Sequence, residues 1–246
     1  MSRSLPFLLL LIVAATLHGE EISLFPSMDA TLYESADGSL ANGAGDFLFT
    51  GRSGQETEFR RRTLLSFDLG QIPAEAVVIS AELTLTVGRV SNPASVDFGL
   101  HRVTTAWTTG ASDPDGGEGG GAEAVEDDAT WLHSSFPDQL WSSPGGDFEP
   151  LATDTIGIGG LGQYTYGQNG ALVDDIQAWI ANPSDNFGWA IIGGEDVLQS
   201  SKRFSDGLIE DESLRSVLQV SYQVPEPTFP GCWLLILGLA ALRRRA

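Results

Sequence analysis

Residues 76–87, AVVISAELTLTV, constrain the fold more than any other stretch, because their apolar side chains recur at every second position. Val77, Ile79, Ala81, Leu83, Leu85 and Val87 alternate with Val78, Ser80, Glu82, Thr84 and Thr86, which places an apolar face opposite a mostly polar one. That period predicts a half-buried strand. Just upstream, RRRTLLSFDL sets Thr63, Leu65, Phe67 and Leu69 on one face and Arg62, Leu64, Ser66 and Asp68 on the other. Pro73 ends that run, since proline cannot donate to a ladder. Further short strands are expected at 46–50, 96–103, 188–192 and 217–222, separated by clusters of Gly, Pro, Asn and Asp. Many short strands joined by turn-rich segments predict an all-β antiparallel β-sandwich.

One segment departs from period two. In ALVDDIQAWIANP, Leu172, Val173, Ile176, Trp179 and Ile180 follow helical spacing, and Asn182-Pro183 is a stop signal. A helix this short needs tertiary support, so its Trp179 face is expected to cover an end or edge of the sandwich as part of the core. Residues 109–128, TGASDPDGGEGGGAEAVEDD, have six glycines and no apolar period, which predicts a long exposed insert loop. Its Asp113, Asp115, Glu118, Glu123, Glu126, Asp127 and Asp128 carry the oxygen ligands that calcium prefers, without the alternating frame of an EF-hand. A solvated acidic loop is the expectation, and a calcium site at Asp113, Asp115, Asp127 and Asp128 the competing one.

Both ends of the chain are apolar. Residues 1–19 carry Arg3, an apolar stretch from Leu5 to Leu17, then small and polar residues, the layout of a secretory signal peptide cleaved near Gly19, with an uncleaved membrane anchor as the alternative. The domain is therefore expected at 20–223, a length that all-β folds reach as one unit. Setting aside Arg3 and the three final arginines leaves nine of the 13 basic residues against 33 acidic ones, a formal charge of −24. Such a surface disfavours nucleic acid, whose phosphates demand a basic partner, and keeps an exported protein soluble. Cys232 is the single cysteine and lies in the tail, so the body has neither disulfide nor thiol nucleophile.

Several blocks of the body resemble one family. RRRTLLSFDLGQIPAEAVVISAELTL, then LHRVTTAWTTG, ATWLHSSFPDQLWSSPGGDF, VDDIQAWIANPSDNFGWAIIGGE and SSKRF, are similar in order to the DNRLRE-type, or disaggregatase-related, domain over roughly residues 28–222. The resemblance implies an extracellular jelly-roll β-sandwich, similar to carbohydrate-binding modules and found in bacterial and archaeal surface proteins, some of which attach to acidic polysaccharide. The chain departs from that pattern at FSDGLIEDESLRSVLQVSY, where similar chains carry an Arg-Glu pair and an Arg-Pro, so no role transfers there.

The tail, residues 224–246, has its own logic. After Val224, Pro225, Glu226 and Pro227 come 14 uncharged residues, Phe229 to Leu242, and then Arg243, Arg244 and Arg245. As a helix the apolar run is ~21 Å long, short of a hydrocarbon core of ~30 Å, so it would hold weakly. Three cytoplasmic arginines orient it by the positive-inside rule and leave the acidic body outside. This tail resembles a PEP-CTERM sorting signal, which implies transient inner-membrane anchoring and cleavage by an exosortase, a membrane-embedded cysteine protease; a plain C-terminal anchor is the alternative. The product would then belong to the cell envelope, the outer surface or the medium.

Signals of catalysis are sparse. His18 falls in the leader, and His101 and His133 are isolated and expected to be structural. No His-x-x-x-His spacing, Gly-x-Ser-x-Gly elbow or phosphate loop occurs. Glycosidases need a pair of carboxylates, but among 33 acids some pair is close by chance. The sequence therefore predicts a non-catalytic module, with a polysaccharide-degrading lyase or glycosidase and a structural spacer as alternatives. For polysaccharide, aromatic faces at Trp107, Trp131, Trp141, Tyr164 and Tyr166 and the charge of Arg62 are the candidates. Against that, Trp107, Trp131 and Trp189 are candidates for core packing, and Arg60, Arg61 and Arg62 for pairing with Glu56 and Glu58.

Overall fold

The computed structural model describes residues 19–55, 59–205 and 211–225. The leader, most of the tail and its Glu226, Pro227, Cys232 and Arg243 to Arg245 lie outside the described residues, as do Glu56 and Glu58. In chain order come β1 (Gly19–Leu24), β2 (Met28–Tyr33), β3 (Leu40–Ala41), β4 (Phe47–Arg52), β5 (Arg60–Ser66), β6 (Val77–Val90) and β7 (Val96–Arg102). Next are β8 (Ala122–Glu123), β9 (His133–Ser135), β10 (Gln139–Leu140), β11 (Asp154–Ile158) and β12 (Gly162–Tyr166). They are followed by α1 (Val173–Ala181), β13 (Trp189–Gly193), β14 (Lys202–Ser205) and β15 (Val217–Gln223).

All pairings are antiparallel. One layer is built on β6, which carries β15 and then β14 along one side and β12 along the other, with β1 outside β15. The second layer runs β2-β5-β13-β7-β11. Strand β4 joins the two, because Phe47–Thr50 pair with β14 while Gly51 and Arg52 pair with β5. The turn between layers falls at Gly51, whose φ of +106° favours glycine, and a Cβ there would lie 3.0 Å from Ser200 Oγ. At the other edge three residues, Gly159 to Leu161, carry the chain from β11 in one layer to β12 in the other. The Tyr164 hydroxyl accepts from the Gly159 amide and donates to the Gly160 carbonyl, pinning that crossing. The result is an all-β jelly-roll-like sandwich, a curled antiparallel sheet with one short helix.

The main core lies between the layers, where Leu65, Phe67, Leu83, Leu85, Phe98 and Trp189 are buried. Helix α1 closes one end. Trp179 is 1% exposed and meets Trp189 edge-on at 4.6 Å between ring centroids. Its neighbour Asp175 accepts from Trp189 Nε1 at 2.8 Å and Thr153 Oγ1 at 2.6 Å, and Gln177 bonds the Val78 amide and the Ala76 carbonyl. The expected helix and its stop before Pro183 are both present.

Two expectations need correction. Within β6, Val77 and Ile79 are 49% and 53% exposed while Val78 is buried, the reverse of the alternation read from the sequence. The register explains it: Ser80 pairs with Ser221 but Val78 with Tyr222, so Ile79 is an extra residue. A bulge of one residue inverts the faces behind it, and from Ala81 onward the expected face is buried. The 109–128 segment, expected to be exposed, lies against the sandwich, with Ser112, Glu118 and Asp128 buried and β8 paired to β3. Its support comes from its flanks. Trp107, Trp131 and Trp141 form a second core with Leu32, Leu64 and Ala190 on the outer face of the β2-β5-β13 layer. We expect Val78→Ala to lower the unfolding free energy by about 2 kcal/mol and Ile79→Ser to change it by less than about 0.5 kcal/mol, measured by urea denaturation.

Candidate functional site

Five of the nine arginine and lysine residues left after removing the leader and tail clusters line cavities at one end of the sandwich. Arg61, Arg89 and Arg203 line a cavity of about 370 Å³. A second cavity, of about 170 Å³, shares Arg61, Gly119 and Gly120 with it and adds Arg60. A third continues from Arg60 to Arg52, so the three form one groove.

The strand period distributes the RRR triplet. Arg60 and Arg62 emerge on one face of β5 and Arg61 on the other. Arg60 and Arg62 lie over the Trp131 ring at 5.0 and 4.8 Å, and both reach carboxylates. Arg62 makes a two-pronged bond to Glu195, at 2.7 and 3.0 Å, and donates to the Gly145 carbonyl at 2.8 Å. Arg60 meets Glu34 at 2.5 Å, and this bond holds the Glu34 carboxyl below its ordinary value of 4.5. The described carboxylates that take these arginines are thus Glu34 and Glu195, far apart in sequence.

Arg61 is placed differently. It stacks on Phe49 and Tyr33 at 5.5 and 5.6 Å and donates to Ser201 Oγ and the Gly119 carbonyl. Arg203 lies over Phe47 at 3.7 Å, and Arg89 is its partner across the β14–β6 ladder. Among the described residues Arg61, Arg89 and Arg203 have no ion pair, and the buried Arg203 Nε has no hydrogen-bond acceptor. Burial pushes Arg61 and Arg203 down, and on Arg203 the charge of Arg89 adds to the effect while that of Glu118 opposes it.

The glycine-rich segment supplies the wall of the groove through Gly117, Gly119 and Gly120. Glu118 anchors it. Its carboxylate accepts from the Asp46 and Phe47 amides at 3.0 and 2.9 Å and from Asn42 Nδ2 at 3.2 Å, while its carbonyl accepts from the Tyr33 hydroxyl. Burial raises the Glu118 carboxyl and pushes the Tyr33 hydroxyl up to about 12.

The aromatic residues suggested for polysaccharide are not a platform. Trp107, Trp131, Trp141 and Tyr166 are at most 5% exposed, and Tyr164 is half-buried with its hydroxyl committed to the β11–β12 crossing. They are buried because the outer face of the second layer and the core need large apolar side chains. Arg62 is likewise closed off by Glu195 and Gly145. The four suggested calcium ligands do not converge. Asp128 is fully buried and accepts from the Ala111, Ser112 and Val125 amides, Asp127 accepts from Ser135 Oγ, and Asp113 and Asp115 are exposed. No group of three metal-ligating side chains occurs among the described residues. His101 bonds the Glu149 carbonyl and His133 bonds Thr130 Oγ1, both structural contacts. Val224 packs partly buried on the main core and Pro225 is exposed. Among the described residues no helix is long and apolar enough to cross a membrane.

Comparison with protein-family models finds no match, and comparison with curated proteins finds none either. The sequence pattern had marked Arg60 to Arg62 as a group without telling which was unpaired. Arg89 and Arg203 carried no local signal, because only the β6–β14 pairing brings them together.

Replacing Asp128 with Ala strands three amides and is expected to cost roughly 2–4 kcal/mol in urea unfolding. The Arg60–Glu34 pair contributes stability that is complete above the ordinary Glu34 value of 4.5 and is lost as pH falls through its lowered one. The gap in unfolding free energy between the parent and Glu34→Gln is therefore expected to be widest at neutral pH and to close on acidification below pH 4.5.

Proposed function

We propose that this protein is an exported, non-catalytic β-sandwich of the cell surface or extracellular matrix, and that its arginine-lined groove holds polysaccharide. The observation that carries this reading is the groove itself. A chain with a formal charge of −20 concentrates its cations in three connected cavities, one of them within the size range of small-ligand sites.

The chemistry of the lining favours binding over cleavage. The cavity of Arg61, Arg89 and Arg203 has no His, Lys or Tyr in its lining, and arginine stays protonated, so no nitrogen base or phenol there can take a proton from carbon. Its two carboxylates are Asp115, which is exposed, and Glu118, whose oxygens are occupied by β4 amides and Asn42. A pair of free carboxylates flanking a glycosidic bond is not what this lining offers.

Export rests on the leader and the tail as read from the sequence. In this proposal an exosortase-type protease cuts near Val224, Pro225, Glu226 and Pro227, releasing a protein briefly anchored in the inner membrane. The fold is compatible with such a tether. Gly19 pairs with Gln223, so leader and tail leave from one corner, while Arg89 lies twelve residues along β6 from Val77, the partner of Gln223. That separation is about 40 Å of strand, which holds the groove away from the corner that faces the bilayer.

Two measurements test the proposal. The exported protein, with and without calcium, should be retained on polysaccharide without releasing new reducing ends; release of such ends would make it an enzyme, and no retention would leave a spacer. A tagged chain with Pro225-Glu226-Pro227 intact should fractionate as a shortened envelope or secreted form, and replacement of the motif should leave it full-length in the membrane. An unchanged size for both chains would count against processing.

A further inference from the structure

We infer that the cavity of Arg61, Arg89 and Arg203 takes a tetrahedral oxyanion, a sulfate or phosphate ester carried by a polysaccharide; this rests on the polysaccharide-binding function and names the group recognised.

The first reason is electrostatic. Arg89 and Arg203 face each other directly across the β6–β14 ladder, where like charges destabilise a sheet. Arg61 reaches the same cavity from β5, and no carboxylate among the described residues pairs with any of the three. Glu118 lines the cavity, but its oxygens are turned to β4, and Asp115 sits exposed at the rim.

The adjacent residue shows how this fold treats a cation that serves only structure. Lys202 is fully buried, and its Nζ donates to the Asn92, Ala94 and Gly159 carbonyls at 2.9, 3.1 and 2.7 Å. Arg203, one position on and facing the opposite way, is given no such acceptors, and its Nε is buried without a partner. A buried donor is ordinarily satisfied, and of the four buried polar side-chain atoms without a partner among the described residues only Arg203 Nε belongs to a residue lining this cavity, where an entering anion can supply the acceptor.

The geometry selects the class of anion. Phe47 under Arg203, and Phe49 and Tyr33 under Arg61, fix the planes of two guanidinium groups, and Ser201 and Gly119 hold Arg61 further. A planar carboxylate is satisfied by one two-pronged arginine, as Glu195 is by Arg62. Three guanidinium groups brought in from three strands instead match the three terminal oxygens of a sulfate or phosphate ester. The exposed Arg89, Gly117 and Gly120 leave the mouth open to solvent, so the ester can stay attached to its chain.

The test measures binding of the exported protein to dextran sulfate, polygalacturonate, unmodified dextran and duplex DNA by equilibrium titration. Dextran sulfate should bind tightest and weaken as salt is raised. Arg89→Gln and Arg203→Gln should each weaken it by about tenfold or more, the loss of one charged hydrogen bond. Arg89 is exposed, so Arg89→Gln should keep or raise the melting temperature of the free protein as the like-charge pair is relieved. Inorganic sulfate and inorganic phosphate, added as competitors, distinguish the two esters by which displaces dextran sulfate at lower concentration. Equal binding of polygalacturonate, preference for dextran, or unchanged affinity in both variants would overturn the oxyanion site and leave the polysaccharide function standing. Binding of DNA alone, or of none of the four, would overturn both.

Discussion

The outer face of the β2-β5-β13 layer presents Leu32, Leu64 and Ala190, and the molecule depends on covering it. The long excursion between β7 and β11 does so with Trp107, Trp131 and Trp141, side chains that bury roughly 150–250 Å² each. Two of the indoles are also hydrogen-bonded, Trp107 to the Phe187 carbonyl and Trp141 to the Thr130 carbonyl. That burial offsets the entropy of ordering a glycine-rich segment which could not order itself. Once pinned at both flanks, the segment uses Asp128 and Glu118 as internal acceptors for backbone amides. An acidic loop thereby becomes the wall of an arginine-lined groove.

The same end of the fold sorts its cations by the company they keep. Arg60 and Arg62 are joined to Glu34 and Glu195 and packed on Trp131. Lys202 has a cage of carbonyls contributed by two loops, which ties the β6–β7 connection to the β11–β12 crossing. Arg61, Arg89 and Arg203 form no ion pair among the described residues, inside a chain that carries 33 acidic ones. In so acidic a protein an unpaired trio of arginines is an expensive arrangement for stability alone, and it is this cost that gives the groove its functional meaning.

Much of the architecture was legible in periods. The β6 alternation from Ala81 onward, the helix at Ile176 and Trp179, and the strands at β13 and β15 follow directly from spacing. Strands β1, β2, β11, β12 and β14 and the two- and three-residue strands β3, β8, β9 and β10 were missed, being short and polar in part, and β6 was misread at Val77 and Ile79 because a bulge shifts phase without altering composition. The site was less legible. Trp107, Trp131, Trp141 and Tyr166 look alike in sequence whether they stack on a ligand or fill a core, and the difference lies in which surface needs covering. Asp128 reads as a metal ligand until its neighbours' amides are located around it.

By itself the sequence determined the all-β class, the helix at Val173–Ala181, the acidic balance and the apolar character of both ends, since each depends on residue type and local period. Only the tertiary structure decided which arginines are neutralised, which tryptophans are core and where the glycine-rich segment lies. Those outcomes depend on pairs such as Arg89 and Arg203 or Arg62 and Glu195, more than a hundred residues apart, and a one-dimensional pattern carries no record of which strands will lie side by side.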